Sequence, residues 1–176
     1  MPRDLPMYAS FPQAYVWLRP PIELAEALDA HRKHWWWPDD CEFPHASRLH
    51  LTLHPLGPLD DAELDQVLNA MSALRVHAFD LDLVWSGVWT RNAIAVVRPR
   101  EHDGLTRLHA ELSRCLHGSD PVRGWSPHVT LARKVPRAGA DLLPALRWPV
   151  REFFLVRSWL RPHRVRHEVL RRYELI

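Results

Sequence analysis

Apolar and polar residues alternate along several short segments of this chain, and helical spacing of apolar residues occupies the stretches between them. The first half predicts three strands and two helices, in the order 13–20 (strand), Pro21 to about Lys33 (helix), 49–57 (strand), 62–74 (helix) and 78–89 (strand). Asp60 or Asp61 is placed to cap the second helix, because a carboxylate accepts hydrogen bonds from the first free amides.

The second half of the chain repeats this order of elements. It predicts strands at 92–100, 128–135, 150–160 and 167–176, a helix over 104–118 that closes on Gly118, and a short helix or turn over 138–146. Strands and helices mixed in this way indicate the α+β class.

Three short segments of the first half recur in the second. "VWLRP" matches "AVVRP", "HLTL" matches "HVTL", and "LVWS" matches "LVRS". From the Arg of each RP pair to the His of each HxTL is 31 residues in one half and 30 in the other. We therefore predict one bilobal domain over 1–176, built on an approximate internal repeat of 13–90 and 92–176. Each pseudo-symmetric lobe is expected to hold an antiparallel or mixed sheet backed by helices, with the active-site cleft between the lobes.

Composition narrows the class of protein without naming a function. Hydrophobic residues make up 47% and charged residues 25%, as in a globular chain. Of the 23 basic residues only Lys33 and Lys134 are lysine. This arginine bias suits an anionic partner, although coding-sequence composition alone explains it equally well. Two cysteines far apart, and no uninterrupted apolar segment at the N-terminus, lead us to expect a cytoplasmic protein without a membrane span.

The two HxTL motifs carry the candidate chemistry. On a strand, His50 and Thr52 share one face, as do His128 and Thr130, because side chains alternate with a period of two. Two lobes related by a two-fold axis would bring both pairs to one cleft. There, one imidazole could activate a nucleophile and the other could protonate a leaving oxygen, as displacement at phosphorus requires. The two hydroxyls and Arg133 could bind the non-bridging phosphate oxygens.

Several other interpretations stay open beside this one. The motifs could be strands with polar outer faces, or His50, His54 and His128 could bind zinc; carboxylate and thiolate partners at a recognisable spacing are missing, so we predict no metal. His54 could touch substrate or lie on the surface. The tryptophans of 34–40 could stack on RNA bases, or pack under a lobe or between lobes. Six arginines could form a phosphate-binding rim or a solvated strand pair, at 157, 161, 164, 166, 171 and 172.

The HxTL pair resembles the two-histidine (2H) phosphoesterase superfamily. Within it, the chain is similar to the bacterial and archaeal 2′-5′ RNA ligase family, also called RNA 2′,3′-cyclic phosphodiesterases. The similarity covers nearly the whole chain and includes the end "SWLRPHRVRHEVLRRYELI". It implies a hydrolase that opens terminal 2′,3′-cyclic phosphates of RNA to 2′-phosphomonoesters without metal or cofactor. It also implies reversible joining of RNA ends by 2′-5′ linkages.

The resemblance also implies roles for individual residues. His128 would be the general base that activates water and His50 the general acid, although the symmetric repeat does not separate these roles by itself. Thr52, Thr130 and Arg133 would contact the phosphate. The partner would be RNA ends or nucleotides with a 2′,3′-cyclic phosphate, bound by a monomer. Small cyclic nucleotides, 2′-5′ oligonucleotides or non-catalytic binding of RNA ends are the alternatives.

Overall fold

The alternating segments form the strands of one antiparallel sheet. The computed structural model describes residues 12–161 and 164–176, and eight strands lie within them: β1 Gln13–Leu18, β2 Leu51–Pro58, β3 Phe79–Trp89, β4 Ile94–Pro99, β5 Val129–Arg133, β6 Leu146–Val150, β7 Glu152–Arg161 and β8 Arg164–Glu174. The helices of these residues are α1 Ile22–Lys33, α2 Asp61–Ser72 and α3 Asp103–His117, with a 3₁₀ turn at Ala46–Arg48. The predicted α+β class is confirmed.

Two groups of four strands meet at the centre of the sheet. The strand order is β6-β3-β4-β5-β2-β1-β7-β8, so β5 and β2 form the seam. Across this seam only one pair of residues, Leu51 and Val129, is in register among the described strands. Read outward from the seam, the first two strands of the two groups match: β5 and β4 on one side correspond to β2 and β1 on the other. The next strand of each group comes from the other repeat, since β3 lies against β4 and β7 against β1.

The helix ends follow from local chemistry. Asp60 caps α2 with a complete capping box: its Oδ1 accepts from the Glu63 amide at 2.8 Å, and the Glu63 Oε2 accepts from the Asp60 amide at 2.9 Å. α3 closes on Gly118 in the left-handed conformation (φ 69°), as predicted.

The short helix considered for 138–146 does not form. Gly139 instead makes an isolated bridge to Trp36, and β6 follows at Leu146–Val150, where no strand was predicted. Pro144 disfavours a helix here because it lacks the amide hydrogen that a helix interior uses. β6 lies at the edge of the sheet, where Pro149 is tolerated for the same reason.

The N-terminal segment, on which the expectation of a cytoplasmic protein partly rests, lies mostly outside the described residues. Within the part of the chain that the structure describes, no helix is both long enough and apolar enough to cross a membrane.

His54 belongs to the helix-covered side of the sheet, so both expectations for it, surface or substrate, are wrong. Val16 pairs with His54 and Trp17 with Thr52, which leaves Leu53 as an extra residue in β2. Such a bulge rotates the strand, so His54 turns to the side of buried Val16 instead of the side of Thr52. His54 is only 6% exposed, and its Nε2 donates to the His109 carbonyl at 2.9 Å.

A stack of three rings fills the space between β2 and α3. The His109 ring lies 4.3 Å from that of His54 and 3.7 Å from that of Trp125, nearly parallel to both. Burial lowers the pKa of His109 to about 4, with the neighbouring His54 adding to the effect. The folded protein is therefore more stable with the His109 imidazole neutral than with it protonated.

This stack predicts acid sensitivity. Because the pKa of His109 is about 4 in the folded protein and near 6.5 in the unfolded chain, the unfolded state binds the extra proton as the pH falls between these values. The free energy of unfolding should then fall by at most about 1.4 kcal/mol per pH unit for this group. In His109→Gln the slope should be shallower in that window and unchanged above pH 7. Urea denaturation at several pH values measures it; equal slopes in both proteins would contradict the prediction.

Candidate active site

Both candidate histidines lie one residue before a strand of the seam. His50 precedes β2 and His128 precedes β5. Since Leu51 and Val129 are antiparallel partners, the positions on either side of them are opposed as well, His50 to Thr130 and Thr52 to His128. Leu51 and Val129 are fully buried on the helix side. Their polar neighbours therefore share the opposite face, as the motif spacing predicted.

The two imidazoles are held in the same way. Nδ1 of His50 lies 2.7 Å from the Arg48 carbonyl oxygen, and Nδ1 of His128 lies 2.9 Å from the Ser126 carbonyl oxygen. A carbonyl only accepts, so Nδ1 must carry the hydrogen in both rings. In the neutral form Nε2 then holds the lone pair, which makes it the nitrogen that takes up or releases a proton.

A cleft of about 490 Å³ lies over this face of the sheet. Of the five predicted site residues, the cleft is lined by four: His50, Thr52, Thr130 and Arg133. His128 is not among the lining residues; its ring packs edge-on against Trp89, with 4.6 Å between centroids. His128 nevertheless lies close enough to His50 for its charge to contribute to the lowered pKa of His50.

Burial and positive charge lower the pKa of both imidazoles. Loss of hydration lowers the pKa of His50 to about 4, against the raising effect of the Arg48 carbonyl, and the charges of His167, Arg133 and His128 lower it further. The pKa of His128 is also lowered, chiefly by burial and in smaller part by Arg133 and Arg98. A bound phosphate anion would oppose these effects by favouring the protonated forms.

Sequence reasoning missed the aromatic support of His50. Trp17 of β1 stacks on the His50 ring with 3.5 Å between centroids and 12° between planes. His167 of β8 stands edge-on to Trp17 and lines the same cleft, and its Nδ1 lies 2.6 Å from the Ser158 Oγ. A correct prediction of the pairing between these two strands would have revealed this support, because Trp17 lies opposite Thr52 across β1 and β2. The repeat could not have revealed it, because Val96 occupies the matching place in "AVVRP".

The loop after α1 closes one side of the cleft. Glu42 and Arg133 exchange two backbone hydrogen bonds of 3.0 and 2.8 Å, and Glu42 also forms an ion pair of 2.6 Å with Lys134. These contacts hold the cleft-lining Phe43 beside Arg133.

The tryptophans of the same loop have a packing role. Trp35 is buried and stacks on Trp37, and each donates its ring hydrogen to α1, to His31 Nε2 at 3.1 Å and to the Arg32 carbonyl at 2.8 Å. Of the two uses considered for these residues, the structure supports packing for Trp35 and Trp37, whereas Trp36 is exposed.

Two imidazoles at the β2–β5 seam, with two hydroxyls and a guanidinium in the adjoining cleft, can perform acid–base chemistry on a phosphate ester. The imidazoles can move protons at the entering and leaving oxygens, and the cationic and hydroxyl groups can hold the remaining oxygens. Within the described residues, no three His, Cys, Asp or Glu side chains are placed to share a metal ion.

Comparison with known proteins agrees with this geometry. The model of the 2′-5′ RNA ligase superfamily matches residues 20–160. An Escherichia coli protein named RNA 2′,3′-cyclic phosphodiesterase is 30% identical over 140 residues, which span 74% of this chain and 77% of that protein. A Thermus thermophilus protein of the same name is 37% identical over 150 residues, spanning 75% and 73%.

Solved structures lead to the same group of proteins. E. coli LigT complexed with NADP⁺ superposes with a TM-score of 0.81 at 27% identity, covering 94% of this chain and 99% of its own. The same protein complexed with 3′-AMP gives 0.81 at 26% identity, with 93% and 98% covered. The fold and the site thus define a two-histidine phosphoesterase. More specifically, the chain belongs to the 2′-5′ RNA ligase superfamily.

The lowered pKa values predict an acidic optimum for the free enzyme. One imidazole must be neutral and the other protonated, and kcat/KM reports these states before substrate binds. With the pKa of His50 at about 4 and that of His128 below 6.5, the kcat/KM bell should be centred below pH 6.5. The kcat bell should lie at higher pH, because bound phosphate raises both pKa values. Steady-state rates from pH 4 to 9 test this; a kcat/KM bell centred above pH 7 would contradict it.

Proposed function

We propose that this protein opens 2′,3′-cyclic phosphate ends of RNA and leaves a 2′-phosphomonoester. The observation that carries the proposal is the pair of histidines at the β2–β5 seam, each fixed through Nδ1 by a carbonyl oxygen two residues earlier. The two relatives named RNA 2′,3′-cyclic phosphodiesterase support the same substrate, and the complex of LigT with 3′-AMP supports binding of a nucleotide.

The proposed reaction is a displacement at phosphorus. Nε2 of His128 takes a proton from water, and the resulting oxygen forms a bond to phosphorus. The bond from phosphorus to the 3′ oxygen breaks, and Nε2 of His50 supplies the proton that this oxygen needs. The phosphate remains on the 2′ oxygen. This assignment requires that the phosphate anion raise the pKa of His50 from about 4 so that the ring is protonated when substrate is bound.

Thr52, Thr130 and Arg133 supply the phosphate contacts in this proposal. All three line the cleft, and the two hydroxyls come from opposite sides of the seam. Their donors can reach non-bridging oxygens from both halves of the sheet. Negative charge that develops in the transition state is then met by hydrogen bonds that are already oriented.

The same groups can join RNA ends. If a 5′-hydroxyl takes the place of water, its attack on the cyclic phosphate forms a 2′-5′ linkage and releases the 3′ oxygen with a proton from His50. The reverse reaction would use the two histidines with their roles exchanged, and neither direction consumes a cofactor.

A second candidate substrate is a small cyclic nucleotide or a 2′-5′ oligonucleotide. The cleft volume of about 490 Å³ lies within the usual range for small-molecule sites, roughly 300–1,000 Å³, which favours a substrate with a single nucleotide in the cleft. A protein that only binds RNA ends would retain cyclic-phosphate RNA unchanged, so turnover separates that alternative from both enzymes.

The proposed enzyme acts as a cytosolic monomer. One copy of the chain supplies both HxTL motifs, which meet at the β2–β5 seam. Cys41 and Cys115 are both free thiols, which suits a reducing compartment.

Each histidine should be required for turnover. His50→Ala and His128→Ala should each lower kcat by about 10² or more, because each removes one proton-transfer group. Exposed His77 is remote from the motifs and provides the matched control His77→Ala, which should keep wild-type rates. Near-wild-type turnover of either motif variant on a cyclic-phosphate RNA would contradict the two-histidine mechanism.

Product identity and metal dependence test the chemistry. Incubation of a 2′,3′-cyclic-phosphate oligonucleotide should yield a 2′-phosphate end, because the 3′ oxygen is the leaving group. EDTA should leave the rate unchanged if no metal takes part. Chromatography against 2′- and 3′-phosphate standards identifies the product; a 3′-phosphate, or loss of rate that zinc restores, would contradict the proposal.

A further inference from the structure

A second pocket of about 390 Å³ adjoins the cleft. Four residues line both cavities: Trp17, Arg48, Val165 and His167. The two spaces are therefore neighbours that share one wall. We call this cavity the arginine pocket, because Arg19 and Arg166 line it together with Arg48.

The three arginines come from three separate parts of the chain. Arg19 directly follows β1, Arg48 ends the 3₁₀ turn and Arg166 lies on β8. All three side chains are exposed. Folding thus assembles a cationic pocket out of residues that are distant in sequence, next to the proposed site of catalysis.

The charge of this pocket is not neutralised by the protein. Its lining contains no Asp or Glu, and among the described residues none of the three guanidinium groups takes part in an ion pair shorter than 4.0 Å. Other arginines of the predicted rim differ: Arg157 pairs with Glu168 at 3.1 Å, and Arg172 lies 3.4 Å from both Glu152 and Glu174. The side chains of Arg161 and Arg164 lie outside the described part.

The charge of the arginine pocket affects His167, which lies in the wall that the pocket shares with the cleft. The pKa of His167 is lowered first by burial and then by the charges of Arg48 and Arg19. The backbone carbonyl of Ser47 is the acceptor for Arg19, at a long 3.4 Å, and the Arg19 guanidinium lies 5.6 Å from the Phe154 ring. An anion in the pocket would supply the strong acceptor that these contacts do not.

We propose that the arginine pocket binds the phosphodiester on the 5′ side of the terminal nucleotide. This inference rests on the proposed function, since it takes the cyclic phosphate to lie in the cleft. The shared wall then puts the next phosphate of the strand within reach of the pocket. One guanidinium group can donate two hydrogen bonds to two oxygens of a phosphate, and it stays charged at any physiological pH. The pocket would therefore favour an oligonucleotide over a cyclic mononucleotide.

The larger cavity on the other side of Arg48 is a weaker candidate for this phosphate. It measures about 950 Å³ and is lined by Arg32 and Lys33. Both of these cations are already paired with Asp29, at 2.7 and 2.9 Å. The Asp29 carboxylate thus already neutralises these cations, whereas no carboxylate lines the arginine pocket.

Two substrates separate the pocket from the cleft. A 2′,3′-cyclic mononucleotide with a free 5′-hydroxyl carries only the reacting phosphate, and a dinucleotide with the same end carries one more. For Arg19→Gln and Arg166→Gln, the ratio of kcat/KM for the dinucleotide to that for the mononucleotide should fall at least about 10-fold. The salt dependence of the dinucleotide reaction should also weaken, by about 0.7 in log–log slope for each arginine–phosphate interaction that the substitution removes.

Arg171→Gln is the matched control, because Arg171 is an exposed arginine of the same strand as Arg166 but does not line the pocket. It should leave the ratio within twofold of wild type. An unchanged ratio in both pocket variants would overturn the inference, and so would an equal loss on both substrates, which indicates a disturbed cleft. Thermal melts verify that each variant is folded.

A binding measurement keeps this test independent of the proposed function. If the wild-type protein turns over neither substrate, the proposed function is wrong. The pocket is then judged by Trp fluorescence titration with a dinucleotide 3′-phosphate and with a 3′-mononucleotide. Tighter binding of the dinucleotide that is lost in Arg19→Gln supports the pocket; equal binding of the two ligands overturns it.

Discussion

The arrangement of the active site depends on the pairing of Leu51 with Val129. This is the one register contact between the two halves of the described sheet, and both side chains are fully buried under the helices. Their burial determines which face of each strand the histidines and threonines occupy. A slip by one residue in either strand would turn its His–Thr pair towards the helices, because side chains alternate strictly along a strand. An apolar contact thus sets the geometry of a polar site.

The same cleft combines two opposing requirements. Catalysis by the proposed route needs one protonated imidazole, whereas Trp17 and the surrounding walls remove water from His50 and favour its neutral form. In the proposed reaction the phosphate anion resolves this conflict, because negative charge near an imidazole stabilises its protonated form. Burial also lowers the pKa of His54 and of His109, but these residues lie in the helix-covered core, where the charged form only weakens the fold.

Much of the fold could be predicted from local patterns. Alternation located strands in the regions of β1–β5, β7 and β8, and capping residues such as Asp60 and Gly118 marked helix ends. The exceptions have local physical causes. β6 was not predicted because a proline within a short run argues against a strand, and Pro149 lies within β6. The extra residue at Leu53 turned His54 to the opposite face of the sheet from the predicted one. Whether a proline lies on an edge strand, and whether a strand contains a bulge, depends on how the strand pairs with its neighbours, and the local sequence does not show this pairing.

By itself, the sequence determined the α+β class, the two HxTL motifs and the residues that can move protons, since these depend on residue type and spacing alone. Only the tertiary structure decided what surrounds those residues: Trp17 against His50, His128 against Trp89, and Arg19, Arg48 and Arg166 around a second pocket. These neighbours come from elements far apart in the chain. Strand order and register bring them together, and both follow from burial of the whole core, which no single segment of sequence encodes.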